Sequence, residues 1–265
     1  MEPTVLVSQQ GAIATLTFNR PAVFNAMNPE LILAMREALA GIAQRPGVRA
    51  LVIAGAGKAF LAGGDVGDFH RRLAQPGNGL VDTIKTMGDA LHDGIEAIRN
   101  APFPVIAKVH GAAAGAGFSL VLACDFAIAS TNATFTSAYT RIGTSPDGGS
   151  TYFLPRLVGM KKAAELIMLS DTLTAEAALA NGLINRVVAA EALDTEAQAL
   201  AERLALGPTA AYAQAKQLLN RAFDRPIRAH LDEEIARFAE CTRTADFREG
   251  VTAFVGKRAA EFKGY

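Results

Sequence analysis

The sequence predicts an α/β fold that continues into a helical C-terminal portion. Short apolar strand patterns alternate with helical patterns through the first half of the 265-residue chain. Hydrophobic residues make up 50% of the chain, which is enough for one sizeable core. From about residue 190 onward the strand patterns stop, and segments rich in Ala, Leu and charged residues follow.

The elements of the first half follow from the spacing of apolar residues. Alternating or continuous apolar runs predict strands, and apolar residues three or four positions apart predict helices. In chain order the patterns predict a hairpin of strands 5–7 and 13–19 around Gly11, a helix over 30–43, a strand over 49–54, a helix over 80–100 ended by Pro102, and a strand over 105–109.

Residues 109–129 are almost continuously apolar and approach the length of a membrane span. His110, Ser119 and Asp125 interrupt this run, and glycines divide it. We therefore predict a strand, a turn, a buried helix and a second strand over 126–129. No membrane-spanning segment is expected.

The last quarter of the chain is predicted to be helical. Its patterns give helices over 192–206, 209–223 and 227–242. Breaks at Gly207-Pro208 and at Pro226 separate these helices. We therefore expect a core over residues 1–206 and a helical subdomain over residues 207–265.

Charge and cysteine content argue against several classes of protein. The chain has 26 basic and 26 acidic residues and no Lys or Arg run, so we expect neither nucleic-acid binding nor a polybasic membrane anchor. Only Cys124 and Cys241 are present, which favours a reducing compartment over a disulfide framework. No His, Cys, Asp and Glu cluster has metal-ligand spacing, so no metal is expected. With no secretory signal pattern, we expect a cytoplasmic protein.

Two glycine-bearing turns are the most informative feature of the chain. Residues 59–66 read Ala-Phe-Leu-Ala-Gly-Gly-Asp-Val, residues 111–120 read Gly-Ala-Ala-Ala-Gly-Ala-Gly-Phe-Ser-Leu, and each turn follows a short apolar strand. Each strand delivers the backbone into a helix start, where N–H groups lack partners and face any negative charge nearby. The pair has the pattern of the two halves of an oxyanion hole, which an enzyme that forms a thioester enolate needs.

Further motifs accompany these turns along nearly the whole chain. They are Asn19-Arg20-Pro21, Asn25-Ala26-Met27, Ser145-Pro146-Asp147-Gly148-Gly149, Leu154-Pro155-Arg156-Leu157-Val158-Gly159, Ala180-Asn181-Gly182-Leu183-Ile184 and Phe247-Arg248-Glu249-Gly250-Val251. With these motifs the chain resembles the enoyl-CoA hydratase/isomerase (crotonase) superfamily. Within it, the motifs are most similar to those of phenylacetate-pathway enoyl-CoA isomerases.

The resemblance implies a crotonase fold, a spiral of ββα units, with residues 207–265 as a trimerisation subdomain. It also implies an acyl-CoA substrate, no cofactor beyond the CoA moiety, and a homotrimer or a dimer of trimers. Gly64 and Ala116 match the positions whose N–H groups hold the thioester oxygen in the family. Small residues suit these positions, because a side chain would keep a bulky thioester away from the backbone.

Hydratases of this family carry two glutamates over the thioester. By resemblance, their positions fall on Ser119 and Tyr139, which are poor bases near neutral pH and would shape the acyl pocket instead. Asp147 matches an aspartate that several relatives use. A single carboxylate can take a proton alpha to the thioester and return it at a distant carbon. We therefore expect an enoyl-CoA isomerase with Asp147 as its acid and base.

Several alternatives to this isomerase stay open. Without the resemblance, Asp147 is an ordinary turn carboxylate or helix cap. By similarity to 4-chlorobenzoyl-CoA dehalogenase, Asp147 would attack an aryl carbon, His92 would be the general base and Tyr139 would lie in the pocket. From its sequence context alone, His92 is a surface residue of a helix. Enoyl-CoA hydration and CoA-thioester binding without catalysis are the remaining alternatives.

The resemblance also assigns residues to the CoA moiety. They are Asn25, Ala26 and Met27, the backbone around Ala62, Asp65 and Val66, and Phe254 and Lys257 near the C-terminus. In the family, residues such as Phe254 and Lys257 can be supplied by a neighbouring subunit. From the residues alone, Asp65 is interpreted as a helix cap, because it stands at a helix start beside a glycine. Lys257 is likewise interpreted as part of a solvated helix face.

Overall fold

Strands and helices alternate through the first part of the chain, as the apolar spacing predicts. The computed structural model describes residues 2–75, 77 and 79–265. The first elements are β1 (Val5–Gln10), β2 (Ile13–Phe18), α1 (Pro29–Ala43), β3 (Ala50–Gly55), α2 (Val66–Leu73) and α3 (Leu80–Asn100). Asn28 caps α1 by accepting a hydrogen bond from the Leu31 N–H (3.0 Å). The predicted bounds of α3 are confirmed at both ends.

Shorter elements fill the middle of the chain. They are β4 (Val105–Val109), β5 (Ala112–Ala114), α4 (Ala116–Ala123), β6 (Phe126–Ser130), β7 (Thr134–Thr136), α5 (Ser150–Met168), β8 (Leu173–Thr174), α6 (Ala175–Ala180) and β9 (Arg186–Val188). Every residue of α4 is buried. The predicted division of residues 109–129 into strand, turn, buried helix and strand is therefore confirmed, with β5 as an additional short strand.

Helices alone make up the C-terminal portion. They are α7 (Leu193–Ala205), α8 (Thr209–Asn220), α9 (Ile227–Cys241) and α10 (Ala245–Val255). The predicted helices over 192–206, 209–223 and 227–242 are confirmed with small shifts at their ends, and α10 was not predicted. Among residues 2–75, 77 and 79–265, no helix is long and apolar enough to cross a membrane.

The larger of the two sheets has six strands, in the order β1-β2-β3-β4-β6-β9. β1 and β2 form an antiparallel hairpin, and the other neighbours are parallel. In the central pair, Leu51 of β3 lies opposite Val105 of β4. Because parallel neighbours end at the same edge of a sheet, the two glycine-bearing turns leave β3 and β4 side by side.

A second sheet has three short strands in the order β5-β7-β8. The chain enters this sheet after it leaves strands of the first sheet. Leu61 extends this sheet through a parallel bridge to Ala113. Each of β3, β4 and β6 is therefore followed by a short segment in the second sheet and then by a helix. This strand–strand–helix repeat is the ββα spiral that the resemblance implies.

A buried ion pair ties α8 to the large sheet. Lys216 Nζ lies 2.7 Å from Asp125 Oδ2, and the same oxygen accepts a hydrogen bond from the Val105 N–H (2.8 Å). Burial lowers the pKa of the Lys216 ammonium, and the charge of Asp125 opposes that shift. By contrast, α9, which is described along its whole length, has no buried residue. Of the C-terminal helices, α7 packs against the large sheet through Ala201, Leu204 and Ala205, α8 is tied to the sheet by this ion pair, and α9 lies at the surface.

Candidate active site

The first glycine-bearing turn leads from β3 to α2, and Asn25 holds it in place. The Asn25 Nδ2 donates hydrogen bonds to the carbonyls of Ala59 (2.8 Å) and Phe60 (3.2 Å). Its Oδ1 accepts a hydrogen bond from the Arg20 N–H (2.8 Å). Asn25 has no exposed surface. In this conformation the Asn25 side chain has a structural role, and a contact between CoA and the Asn25 segment stays a prediction.

Met27 supports the same turn through its backbone. Its N–H donates to the Gly63 carbonyl (2.7 Å), and its carbonyl accepts from the Asp65 N–H (2.8 Å). Met27 is 1% exposed. The Met27 side chain lies in the core and its backbone is paired with the turn, and a CoA contact at Met27 stays a prediction.

Arg20 joins the segment before α1 to the start of α2. Its guanidinium donates to the Ala26 carbonyl and lies 3.2 Å from the Asp65 carboxylate. Asp65 also accepts a hydrogen bond from the Asp68 N–H (3.0 Å) and caps α2, which confirms its interpretation as a helix cap. In the sequence, Arg20 belongs to the motif Asn19-Arg20-Pro21, but no function is predicted for it. The motif marks Arg20 as a residue of interest, but the sequence does not show that its partners are Ala26 and Asp65.

The second turn leads from β5 to α4. Gly115 is the N-cap of α4 and has a φ of 51°, a left-handed backbone conformation that glycine adopts easily. No side chain caps the helix. The first helical N–H groups, which begin at Ala116, therefore lack the partners that a capping side chain would supply.

The two turns lie against each other. The Leu61 N–H donates to the Ala112 carbonyl and the Ala114 N–H donates to the Leu61 carbonyl, both at 3.0 Å. Gly63 has a φ of 90°, and a Cβ atom added there would lie 3.0 Å from the Ala114 oxygen and 3.6 Å from the Gly115 Cα. A side chain at position 63 would therefore force the turns apart.

Gly64 and Ala116 directly follow these two contacting glycines. Within the described ranges, neither N–H donates a hydrogen bond to a protein acceptor. A Cβ atom added at Gly64 would lie 3.2 Å from the Phe69 ring, so the position also favours glycine. Two unpaired N–H donors thus stand on adjoining turns, which is the arrangement that an oxyanion hole requires.

Ser119 and Tyr139 lie beside the second turn. The Ser119 Oγ donates to the Gly115 carbonyl (3.2 Å) and lies 3.3 Å from the Tyr139 hydroxyl, with both residues buried. Burial, and then the neighbouring Asp147 carboxylate, raise the pKa of the Tyr139 phenol well above its ordinary value. The phenol therefore stays protonated near neutral pH, and neither residue supplies a base.

Asp147 lies in an exposed turn immediately before α5. The N-cap of α5 is Gly149, with a φ of 81°, so Asp147 is not the helix cap. A Cβ atom added at Gly148 would lie 2.8 Å from the Ser119 Cβ and 3.2 Å from the Tyr139 hydroxyl. Ser119 and Tyr139 therefore stand between the second turn and the Asp147 turn and contact both.

His92 on α3 reaches the Asp147 turn from another direction. Its Nε2 lies 2.9 Å from the main-chain carbonyl oxygen of Asp147. A cavity of about 540 Å³ adjoins this turn and is lined by His92 and Asp147 together with Glu96, Arg99 and Asn220. Neither Gly64 nor Ala116 lines this cavity. The two groups of site residues therefore meet only through Ser119 and Tyr139.

The remaining predicted CoA residues lie in two separate regions. Ala62 and Val66 flank the first turn, and the Val66 side chain is exposed at the start of α2. Phe254, near the end of α10, is 86% exposed, and Lys257 follows α10 with an exposed side chain. Phe254 lines a cavity formed entirely by residues of the C-terminal helices and tail, which does not include the first turn.

Cys124 is buried at the end of α4, and burial raises the pKa of its thiol to about 12. The thiol therefore stays protonated and is not a nucleophile. Neither Cys124 nor Cys241 forms a disulfide. In the part of the chain that is described, no group of three or more His, Cys, Asp and Glu residues is arranged to hold a metal ion.

Comparison with known proteins identifies the family to which this arrangement of residues belongs. The family model described as "Enoyl-CoA hydratase/isomerase" matches residues 8–265. The chain belongs to the enoyl-CoA hydratase/isomerase family. This membership makes it an acyl-CoA enzyme of that family and confirms the resemblance carried by the sequence motifs.

Members of the enoyl-CoA hydratase/isomerase family that are named for different activities match almost the whole chain. A Rhodobacter capsulatus protein named "Probable enoyl-CoA hydratase" is 40% identical and covers 95% of each chain. The 1,2-epoxyphenylacetyl-CoA isomerase of Escherichia coli is 36% identical and covers 98% of each chain. A crystal structure of an enoyl-CoA hydratase from a Polaromonas species has a TM-score of 0.90 at 36% identity, covering 98% of this chain and 99% of that one. The crotonase fold and the similarity to a phenylacetate-type isomerase are confirmed.

The contact at Gly148 makes a testable prediction. In Gly148→Ala, the new Cβ atom must displace Ser119, Tyr139 or the turn itself, so Asp147 moves with the turn. A misplacement of about 1 Å can cost about 100-fold in rate, and we expect turnover of the enoyl-CoA substrate to fall at least tenfold, or by about 1.4 kcal/mol in barrier height. Steady-state kinetics measures this loss.

Gly88→Ala is the matched control. Gly88 lies within α3, and a Cβ atom added there meets nothing within 4 Å. We expect unchanged turnover and, from helix propensity, a stabilisation of up to about 1 kcal/mol in the free energy of unfolding. Wild-type turnover in Gly148→Ala would show that the turn does not depend on this contact.

Proposed function

We propose that the enzyme moves the double bond of an enoyl-CoA thioester, with Asp147 as the single acid and base. The observation that carries the proposal is the position of Ser119 and Tyr139. These two hydroxyl side chains contact the turn that offers the Ala116 N–H and also the turn that carries Asp147. Ser119 and Tyr139 thereby link the turn that carries Asp147 to the turn that carries the Ala116 N–H.

The proposed reaction is a 1,3-proton shift. The thioester oxygen of a 3-enoyl-CoA accepts hydrogen bonds from the N–H groups of Gly64 and Ala116. The Asp147 carboxylate takes a proton from the carbon alpha to the thioester, and the electron pair moves onto the oxygen as a dienolate. The protonated Asp147 then returns the proton to the gamma carbon, and the product is the conjugated 2-enoyl-CoA. No water, oxidant or cofactor is consumed.

The oxyanion donors stabilise the dienolate between these two proton transfers. Each such donor contributes on the order of 3 kcal/mol to transition-state stabilisation. Ser119 and Tyr139 shape the acyl pocket and supply no second base, because both stay protonated near neutral pH. Two-carboxylate hydration therefore lacks its usual groups at these two positions.

Hydration of 2-enoyl-CoA is the second candidate, because several relatives carry hydratase names. The position of Asp147 is compatible with a base that activates water, but Ser119 and Tyr139 leave no partner acid. The dehalogenase alternative is less well supported, because the His92 Nε2 is engaged by a backbone oxygen and only Nδ1 is left to activate water.

For the CoA moiety we propose the backbone of residues 62–66, which is accessible at Gly64 and at the exposed Val66. Phe254 and Lys257 are proposed to act at the site of a neighbouring subunit, because their side chains are exposed in a separate region of this chain. Lys257 would meet a phosphate group of CoA. We further propose that the enzyme acts in the cytoplasm.

We also propose that residues 207–265 form a trimerisation subdomain and that the enzyme is a homotrimer, alone or paired as a dimer of trimers. An apolar stripe supports this proposal: Ile227, Leu231, Ile235 and Phe238 recur at helical spacing on α9, and all four are exposed. An exposed apolar stripe of this length is typical of a surface that another chain covers.

Replacement of the proposed acid and base tests the function directly. In Asp147→Asn the side chain keeps its shape but cannot carry the proton, so we expect isomerisation of trans-3-enoyl-CoA to fall at least about 100-fold. The assay follows double-bond position by chromatography across several acyl lengths. Asp171→Asn, an exposed aspartate in the loop after α5, is the charge-matched control and should leave the rate unchanged.

Undiminished isomerisation in Asp147→Asn, with the variant folded as judged by circular dichroism, would disprove the catalytic role of Asp147. Loss of activity in both variants would instead point to a general effect of charge. Only the combination of an inactive Asp147→Asn and an active Asp171→Asn agrees with the proposal.

The oligomer proposal has its own measurement. Sedimentation equilibrium should give three or six times the mass of one chain. Ile235→Asp places a charge in the apolar stripe and should release smaller species, whereas Ala236→Asp, on the helix face of Arg228 and Asp232, should not. A monomeric wild-type protein at micromolar concentration would contradict the proposal.

A further inference from the structure

His92 connects α3 to the turn that carries Asp147. Its Nε2 donates a hydrogen bond to the main-chain carbonyl oxygen of Asp147 at 2.9 Å. A carbonyl oxygen only accepts hydrogen bonds, so Nε2 carries the hydrogen of this interaction. The contact therefore restrains the backbone of the turn and does not involve the Asp147 carboxylate.

The helix that carries His92 is firmly packed. Leu91 and Ile95, which flank His92 in the helix, are buried in the main core. At Gly94 the helix approaches α1 so closely that an added Cβ atom would lie 2.7 Å from the Met35 Cε. The imidazole is exposed, but the backbone from which it extends is fixed relative to the core.

The opposite side of the turn is limited by steric contact. Gly148 lies against Ser119 and Tyr139, where there is no room for a side chain. His92 draws the turn toward α3 at residue 147, and the two hydroxyl residues block it at residue 148. Between these contacts the backbone position of Asp147 is determined on both sides.

We propose that His92 is a positioning residue: its Nε2–H holds the carbonyl of Asp147 so that the carboxylate meets the alpha and gamma carbons of the substrate. This inference rests on the proposed function, in which Asp147 transfers the proton. A carboxylate that serves two carbons in succession needs a backbone fixed to within about 0.5 Å, which a single exposed turn does not provide by itself. In this role the imidazole neither touches the substrate nor exchanges a proton with it.

Two substitutions at position 92 test the inference. His92→Leu removes the donor and keeps a bulky side chain, and His92→Gln replaces the imidazole N–H with an amide N–H. We expect kcat for trans-3-enoyl-CoA to fall about 10- to 100-fold in His92→Leu with KM changed less than about threefold, because the CoA moiety is proposed to bind at residues 62–66. His92→Gln should recover kcat to within about fivefold of wild type.

Asp89→Ala is the matched control. Asp89 lies on α3 one helical turn before His92, is exposed, and does not line the cavity beside Asp147. We expect wild-type kcat and KM. Crystal structures of His92→Leu and His92→Gln provide a readout without substrate: residues 145–149 should move in the first and stay in place in the second.

Three outcomes would overturn the inference. Wild-type kcat in His92→Leu would remove the positioning role. A His92→Gln variant as slow as His92→Leu would indicate that the imidazole itself takes part in proton transfer. An unmoved turn in His92→Leu would separate any kinetic effect from Asp147. Failure of the proposed function is recognised separately, because Asp147→Asn would then retain activity whatever the variants at position 92 show.

Discussion

The close approach of two backbone turns is the constraint on which the site depends. At Gly63 and Gly115 the chain passes within van der Waals distance of itself, and a Cβ atom at position 63 would lie 3.0 Å from the Ala114 oxygen. Parallel pairing of β3 with β4 brings the turns to the same edge of the sheet, and the Leu61–Ala113 bridge sets their register. The unpaired N–H groups of Gly64 and Ala116 are a direct consequence.

Around this pair of turns, the chain uses side chains mainly to hold backbone. Asn25 secures the first turn, and Ser119 bonds to the second. His92 reaches the third turn, which carries Asp147, through its carbonyl oxygen. Ser119 and Tyr139 contact both the second turn and the turn that carries Asp147. A site built in this way suits an acid–base reaction that needs one proton carrier and a stabilised oxygen anion, without activated water.

Much of the fold could be predicted from the sequence, because the longer elements have clear periodicity. The helix over 80–100 and the strand over 105–109 match the structure at both ends. The strands β5, β7 and β8 are two or three residues long and form only because a second sheet pairs them, so their own residues carry no signal.

The site was predictable to a similar extent. The two turns and Asp147 stand out as motifs, and the structure brings them together through Ser119 and Tyr139. Burial could not be foreseen: Asn25 and Met27 were assigned to CoA, and both lie in the interior because strands distant in sequence enclose them. The bond from His92 to Asp147 spans 55 positions and likewise depends on tertiary structure.

The most direct test follows the proton and the double bond together. The wild-type enzyme is incubated in deuterium oxide with trans-3-enoyl-CoA and, separately, with trans-2-enoyl-CoA, and the products are examined by mass spectrometry. A single acid and base at Asp147 predicts migration of the double bond from the 3- to the 2-position, without net addition of water to either substrate. Efficient hydration of the 2-enoyl substrate, with no migration of the 3-enoyl double bond, would contradict this account.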